Sequence, residues 1–256
     1  MRTHSHAFFD LDGTIYVDGV LISGVRKSLE LLNSSGTKIF YMTNNTSINI
    51  DHYYKKIKSL ELPVSNNSVI SPVLPLCDWM NKKFIKRFFA VGTTEFVEDV
   101  VSLSSACSDI VEPELVIIAF DKELSYHKLA RAAEFINNGI PWVITNIDKS
   151  CPTAMGPIPD CGSIADLIFS TTDVKYIKHF GKPSKEMIRK ISQLSENSMS
   201  TLVAGDRVYT DIEIGLSLGA KTILVCTGEY SRKDVINLHG DFEIYDSLPD
   251  YLNRLF

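Results

Sequence analysis

Six short apolar runs most constrain the fold: Ala7–Phe9, Lys38–Met42, Leu115–Phe120, Trp142–Ile144, Thr201–Ala204 and Thr222–Cys226. They are too short for helices and show little polar alternation, the pattern of parallel strands buried on both faces. Between them apolar residues recur at helical spacing. Val25, Leu29 and Leu32 are closed by Gly36, and Leu129, Ala130, Ala133 and Ile136 by Gly139. Ile50, Tyr53, Tyr54, Ile57 and Leu60 form a third set, and Met187, Ile188, Ile191 and Leu194 a fourth behind the capping Ser184. Glycine after a helix and serine before one mark the ends. Alternating strands and helices predict a doubly wound α/β protein with a parallel sheet, which binds its ligands at the carboxyl ends of the strands.

The function is therefore to be sought in polar residues at strand ends. The run Phe8–Phe9 leads into Asp10-Leu11-Asp12-Gly13-Thr14, two acids one residue apart before a glycine turn. Beside a divalent cation one carboxylate can ligate metal and attack phosphorus, while the other moves a proton. By itself Asp-x-Asp is equally a turn or a helix cap. A second strand ends in Gly205-Asp206, with Asp211 five positions further on. Acids from two strand ends can make an oxygen cage for Mg²⁺, and Asp211 can support that cage, serve as a helix N-terminal residue, or do both. Thr43-Asn44-Asn45 offers a hydroxyl and two amides to phosphoryl oxygens, although such a run also suits a loop. Gly181-Lys182-Pro183-Ser184 sets a lysine just before a capped helix, where its charge can stabilise phosphoryl oxygens.

Taken in order, strand-DxDGT, strand-TNN, GKPS-helix and strand-GDxxxxDI resemble the four motifs of the haloacid dehalogenase superfamily. The chain is most similar to its NagD-like, nitrophenylphosphatase-like phosphatases, in which a C2-type α/β cap lies between the second and third motifs. Ala119-Phe120-Asp121, Trp142–Asp148 and Pro159–Ile164 extend the likeness into that insert. The resemblance implies a Rossmann-like core over residues 1–73 and 178–256 and an inserted cap over 74–177, closing over the site.

Residue by residue, it makes Asp10 the nucleophile that becomes an aspartyl-phosphate and Asp12 the general acid/base. Lys182 steadies nucleophile and phosphoryl, and Thr43 and Asn44 hold the transferring phosphoryl. Mg²⁺ is ligated by Asp10, the backbone carbonyl of Asp12 and Asp206, with Asp211 supporting. Asn146, Asp148 and Ser163 are expected to line a substrate pocket in the cap, where Asn146-Ile147-Asp148 departs from the usual proline at its centre. The implied activity is Mg²⁺-dependent hydrolysis of small phosphomonoesters such as nucleoside monophosphates or sugar phosphates. A phosphotransferase would share every core residue. A non-catalytic binding protein would be expected to have lost the acids, and dehalogenation has no use for Asp12.

Composition limits the partners. A net charge of −5 and a pI near 5.7 give no global attraction to nucleic acid or anionic lipid, so a small phosphorylated metabolite must be gripped locally. No run approaches the roughly 20 apolar residues of a membrane span. Five cysteines without a C-x-x-C pair fit a reducing cytosol better than a disulfide framework or a zinc knuckle. These features are compatible with a homo-oligomer. His4 and His6 are expected on a frayed or edge segment, Trp79 and Trp142 in packing, and Lys82–Arg87 on a solvated helix face. Cys161 has no activating partner in the sequence, and so no catalytic role is assigned to it.

Overall fold

The computed structural model describes residues 4–153, 155–196, 200–235 and 239–256. They form two compact units: Met1–Thr43, Asp51–Ile70 and Ile188–Phe256 in the first, Asn44–Ile50 and Ser71–Met187 in the second. No described helix is long and apolar enough to cross a membrane.

The first unit is built on a six-stranded parallel sheet. Its spatial order is Glu243–Tyr245, Lys221–Val225, Thr201–Gly205, His6–Asp10, Lys38–Met42 and Val69–Ile70. The first strand in the chain thus lies in the middle, and connectivity reverses beside it, which is the switch point where doubly wound sheets bind ligands. Strands His6–Asp10 and Thr201–Gly205 are buried along their whole length, as their unbroken apolar runs require. Helices Val25–Ser34 and Ile50–Ser59 follow the expected periodicity and bury Val25, Leu29, Leu32, Tyr53 and Ile57.

His6 corrects one expectation. It begins a central strand, paired with Thr201 on one side and Lys38 on the other, and is buried, while His4 meets the Tyr251 hydroxyl at 3.0 Å. A small hairpin, Tyr16–Val17 with Val20–Leu21, was not anticipated. Its turn residues Asp18 and Gly19 both have positive φ, the condition a two-residue primed turn imposes.

The second unit carries a four-stranded parallel sheet, ordered Cys107–Ser108, Arg87–Val91, Leu115–Ile118 and Trp142–Ile144. Alternate residues feed two cores. Phe89, Val116, Ile118 and Trp142 pack with helices Tyr126–Asn137 and Cys161–Thr172 through Phe135, Ile136, Ile164 and Ile168. Phe88, Leu115, Ile117 and Val143 pack with helices Val73–Lys82 and Thr94–Leu103 through Leu76, Met80, Phe96 and Val100. Hydroxyls start two of these helices: Thr93 Oγ1 accepts from the Phe96 N–H at 3.2 Å and Ser125 Oγ from that of Lys128 at 3.3 Å. Trp142 is buried and Trp79 stacks obliquely on Phe180, as expected of packing residues.

Lys82–Arg87 is solvated but is not a helix face. The helix ends at Lys82, Phe84 takes a left-handed φ of 58°, and Arg87 opens a strand. Charge clustering reports exposure rather than periodicity, so it could not separate these cases.

Gly162 marks the closest backbone approach in this unit. A Cβ there would lie 2.4 Å from the Ile147 carbonyl oxygen and 2.8 Å from that of Asp148, and its N–H donates to the latter at 2.8 Å. Gly162→Ala should therefore destabilise the protein by about 1–3 kcal/mol through overpacking, lowering Tm by several degrees in a thermal melt. An unchanged Tm would mean that the contact relaxes freely.

Candidate active site

Asp10 is the last residue of its strand, and Asp206 directly follows the adjacent parallel strand, so both acids leave the same edge of the sheet. Asp211 sits on a single π-helical turn, Val208–Ile212, that leads away from that edge; irregular turns of this kind concentrate at functional sites. All three carboxylates are buried, and one oxygen from each lies within 4.8 Å of the others. The Glu229 N–H donates to Asp206 Oδ2 at 2.8 Å and the Arg207 N–H to Asp211 Oδ2 at 3.2 Å, which fixes both side chains.

Glycines make room for this cluster. A Cβ on Gly13, whose φ is +88°, would fall 2.5 Å from Asp206 Oδ2, and one on Gly228 only 2.0 Å from the same atom. On Gly205 it would fall 2.2 Å from Asp211 Cβ. Gly228 and Glu229 were missed in the sequence, although a glycine shortly after the strand Lys221–Val225 signals a close approach of this sort.

The donor set suits a metal. Three buried carboxylates at this separation repel one another, and an oxygen-only set of this kind fits a hard divalent cation. Asp12 is not one of these three acids, and it is exposed. Tyr16, bridged to Asp12 along the backbone, is fully buried, and burial first, then the Asp12 charge, push its phenol up. The Lys56 ammonium lies 3.7 Å from the centre of its ring. Neither Tyr16 nor Lys56 stood out in the sequence, because nothing local distinguishes them from packing residues.

Thr43 ends the first segment of this unit, buried, its N–H donating to the Ile70 carbonyl at 3.0 Å. The second unit brings together Asn44, Asn146, Asp148 and Lys182, all buried. Asn44 Nδ2 donates to Asp148 Oδ2 at 3.0 Å and to the Lys182 carbonyl at 3.2 Å, while its Oδ1 accepts from the Lys182 N–H at 2.7 Å. Asn146 Nδ2 donates to the Asn44 carbonyl, and its Oδ1 accepts from the Asp148 N–H, each at 2.9 Å.

Ser163 is not part of this set; its hydroxyl donates to the Lys149 carbonyl at 2.6 Å. Ser184 Oγ accepts from the Met187 N–H at 3.1 Å, capping helix Lys185–Leu194 behind the lysine. Cys161 is buried and its thiol is pushed up to about 12, chiefly by that burial, so it is inert as a nucleophile.

The profile of the haloacid dehalogenase-like hydrolases matches residues 7–104, and a second, HAD-hydrolase-like, profile matches residues 179–251. An acid sugar phosphatase of Staphylococcus aureus is 26% identical over 239 residues, 93% of this chain and 92% of that protein. Among solved structures, 4-nitrophenylphosphatase from Thermotoga maritima is 29% identical with a TM-score of 0.91, covering 98% of this chain and 97% of that one. NagD from E. coli K-12 shares the fold with a TM-score of 0.85 at 23% identity, over 97% and 98% of the two chains.

The acid cluster predicts a metal-linked stability. Mg²⁺ at a hundred times its Kd should stabilise the wild-type protein by about 2.7 kcal/mol, read as a rise in Tm. In Asp206→Asn the metal-free Tm should hold or rise, because one charge of a repelling trio is gone, while the Mg²⁺-dependent increment should vanish. An increment equal to that of the wild type would exclude Asp206 from the cation site.

Proposed function

The chain belongs to the haloacid dehalogenase-like hydrolases and is a phosphatase of that family; on that premise we propose that it hydrolyses small phosphomonoesters with Mg²⁺ through a covalent aspartyl-phosphate. The observation that carries this reading is the convergence of Asp10, Asp206 and Asp211 at one end of the sheet with Asp12 exposed two residues beyond the nucleophile. The names of the relatives, a sugar phosphatase and a nitrophenylphosphatase, support small phosphorylated metabolites as the substrate class.

In this mechanism an Asp10 carboxylate oxygen attacks phosphorus as the bond to the leaving oxygen breaks, and Asp12 protonates that oxygen. Asp12 then takes a proton from the water that hydrolyses the aspartyl-phosphate, which returns Asp10 and releases inorganic phosphate. Thr43 and Lys182 grip the transferring phosphoryl, with Asn44 in the same loop as Thr43. Asp10, the Asp12 backbone carbonyl and Asp206 would hold Mg²⁺, with Asp211 in support, and the ion would offset the repulsion between a carboxylate nucleophile and a phosphate dianion.

Asp10→Asn should remain folded and show no measurable turnover, because an amide is a poor nucleophile and weakens the metal site. Chelation with EDTA should silence the wild-type enzyme and added Mg²⁺ restore it; wild-type rates in either case would overturn the mechanism.

Asp12→Asn should act selectively. An alkoxide needs a proton to leave and nitrophenolate does not, so the phosphorylation step should slow about 10²–10⁴-fold for a sugar phosphate and far less for 4-nitrophenyl phosphate. Single-turnover rates measure this step directly, and equal losses for both esters would remove Asp12 from the role of general acid.

A further inference from the structure

The Asn44 carboxamide is fully engaged within its own unit. A primary amide has two N–H donors; here one points to Asp148 and the other to the Lys182 carbonyl, while the amide oxygen accepts from the Lys182 N–H. Asn44 therefore brackets the Lys182 peptide from both sides. Asp148 reinforces the way round in which the amide sits, because its Oδ2 accepts from the Nδ2 end while the Lys182 N–H holds the Oδ1 end. Asn146 secures the other two members, donating to the Asn44 carbonyl and accepting from the Asp148 N–H.

The surroundings leave this ring little slack. A Cβ on Gly181 would lie 2.7 Å from both Asn44 Oδ1 and Asn146 Cβ, and Gly162 presses on the Asp148 carbonyl from the start of its helix. Asn146 and Asp148 are buried, and each makes polar contacts to the motif loops.

We propose that Asp148 and Asn146 are positioning residues that orient the Asn44 carboxamide, which in turn fixes the peptide of Lys182, and that they do not read the leaving portion of the substrate. This rests on the phosphatase reading above and replaces the expected pocket role of these two side chains. Asn44 then serves phosphoryl binding through Lys182 rather than by direct contact of its amide.

The test measures kcat/KM for 4-nitrophenyl phosphate and several sugar and nucleoside monophosphates, together with inhibition by inorganic phosphate, in the Mg²⁺-loaded full-length protein well below its Tm. Asp148→Ala should lower kcat/KM about tenfold to hundredfold, the scale of one or two lost buried hydrogen bonds, by the same factor for every ester. Its Ki for inorganic phosphate, which has no leaving group, should rise with it. Asp148→Asn keeps an acceptor oxygen in place and should recover most of the loss.

In an Asn44→Ala background, and again in the milder Asn44→Ser, Asp148→Ala should add less than about threefold, since the path through Asn44 is already cut. A loss that reorders the substrates while phosphate inhibition stays unchanged would overturn the proposal, as would full additivity in both backgrounds, the signature of a general structural defect. Failure of the underlying chemistry looks different: a wild-type protein that releases no phosphate, or one whose turnover survives Asp10→Asn, defeats the phosphatase mechanism and this inference with it.

Discussion

The first unit depends on holding three buried carboxylates together at the end of a parallel sheet. At an effective dielectric of about 20, two unit charges 4.8 Å apart repel by about 3 kcal/mol, and a trio contains three such pairs. That repulsion is comparable with the whole net stability of an ordinary domain, about 5–15 kcal/mol, so the arrangement demands compensation. Backbone N–H groups from Arg207 and Glu229 supply part of it. In the proposed function a divalent cation would supply what hydrogen bonds cannot, at the switch point where doubly wound sheets bind ligands. The glycines at 13, 205 and 228 follow from the same constraint, since any side chain at those positions would occupy the space of a carboxylate.

The second unit meets a different requirement, to pin the backbone of Lys182. Hydrogen bonds from the Asn44 carboxamide to the Lys182 carbonyl and from the Lys182 N–H to that carboxamide achieve this. The apolar sheet beneath provides rigidity: Trp142–Ile144 is buried, and the next residues, Thr145, Asn146 and Asp148, turn polar but stay buried at its carboxyl end. Buried polar groups are tolerable only when satisfied, and the mutual pairing of Asn44, Asn146 and Asp148 provides for the Asn44 amide, the Asp148 N–H and Asp148 Oδ2. Precision of this kind comes from packing, so Gly162 and Gly181, which bear no chemistry of their own, belong to the site as much as the residues they crowd.

Much of this was legible in the chain. Apolar runs without alternation announced six of the ten strands of the two large sheets, and the acids after two of them announced the cluster, whereas Arg87–Val91 and the short strands Val69–Ile70, Cys107–Ser108 and Glu243–Tyr245 were not read. The hairpin at Asp18-Gly19 was also written locally, in an Asp-Gly between apolar pairs. Other features left no such trace. His6 looked terminal because only the distant strands Lys38–Met42 and Thr201–Gly205 place it in the middle of a sheet. Lys82–Arg87 looked helical because exposure, the one property its charges report, is common to helix ends, turns and strand starts.

Residue order and local chemistry alone settle the alternation of strand and helix, the placing of Asp10 and Asp206 at strand ends, and the order of the four motifs. These are matters of period and neighbour, which act over a few residues. Tertiary structure alone decides which oxygen meets which amide. Asn44 and Asp148 are 104 positions apart and Asn44 and Lys182 are 138 apart, so no local periodicity relates them. Only the packed sheet and the glycine contacts bring them within hydrogen-bonding distance. The same side chain that reads as a phosphoryl ligand in the sequence becomes, once folded, the bracket around a lysine, because a buried amide must satisfy its donors with whatever the fold sets beside it.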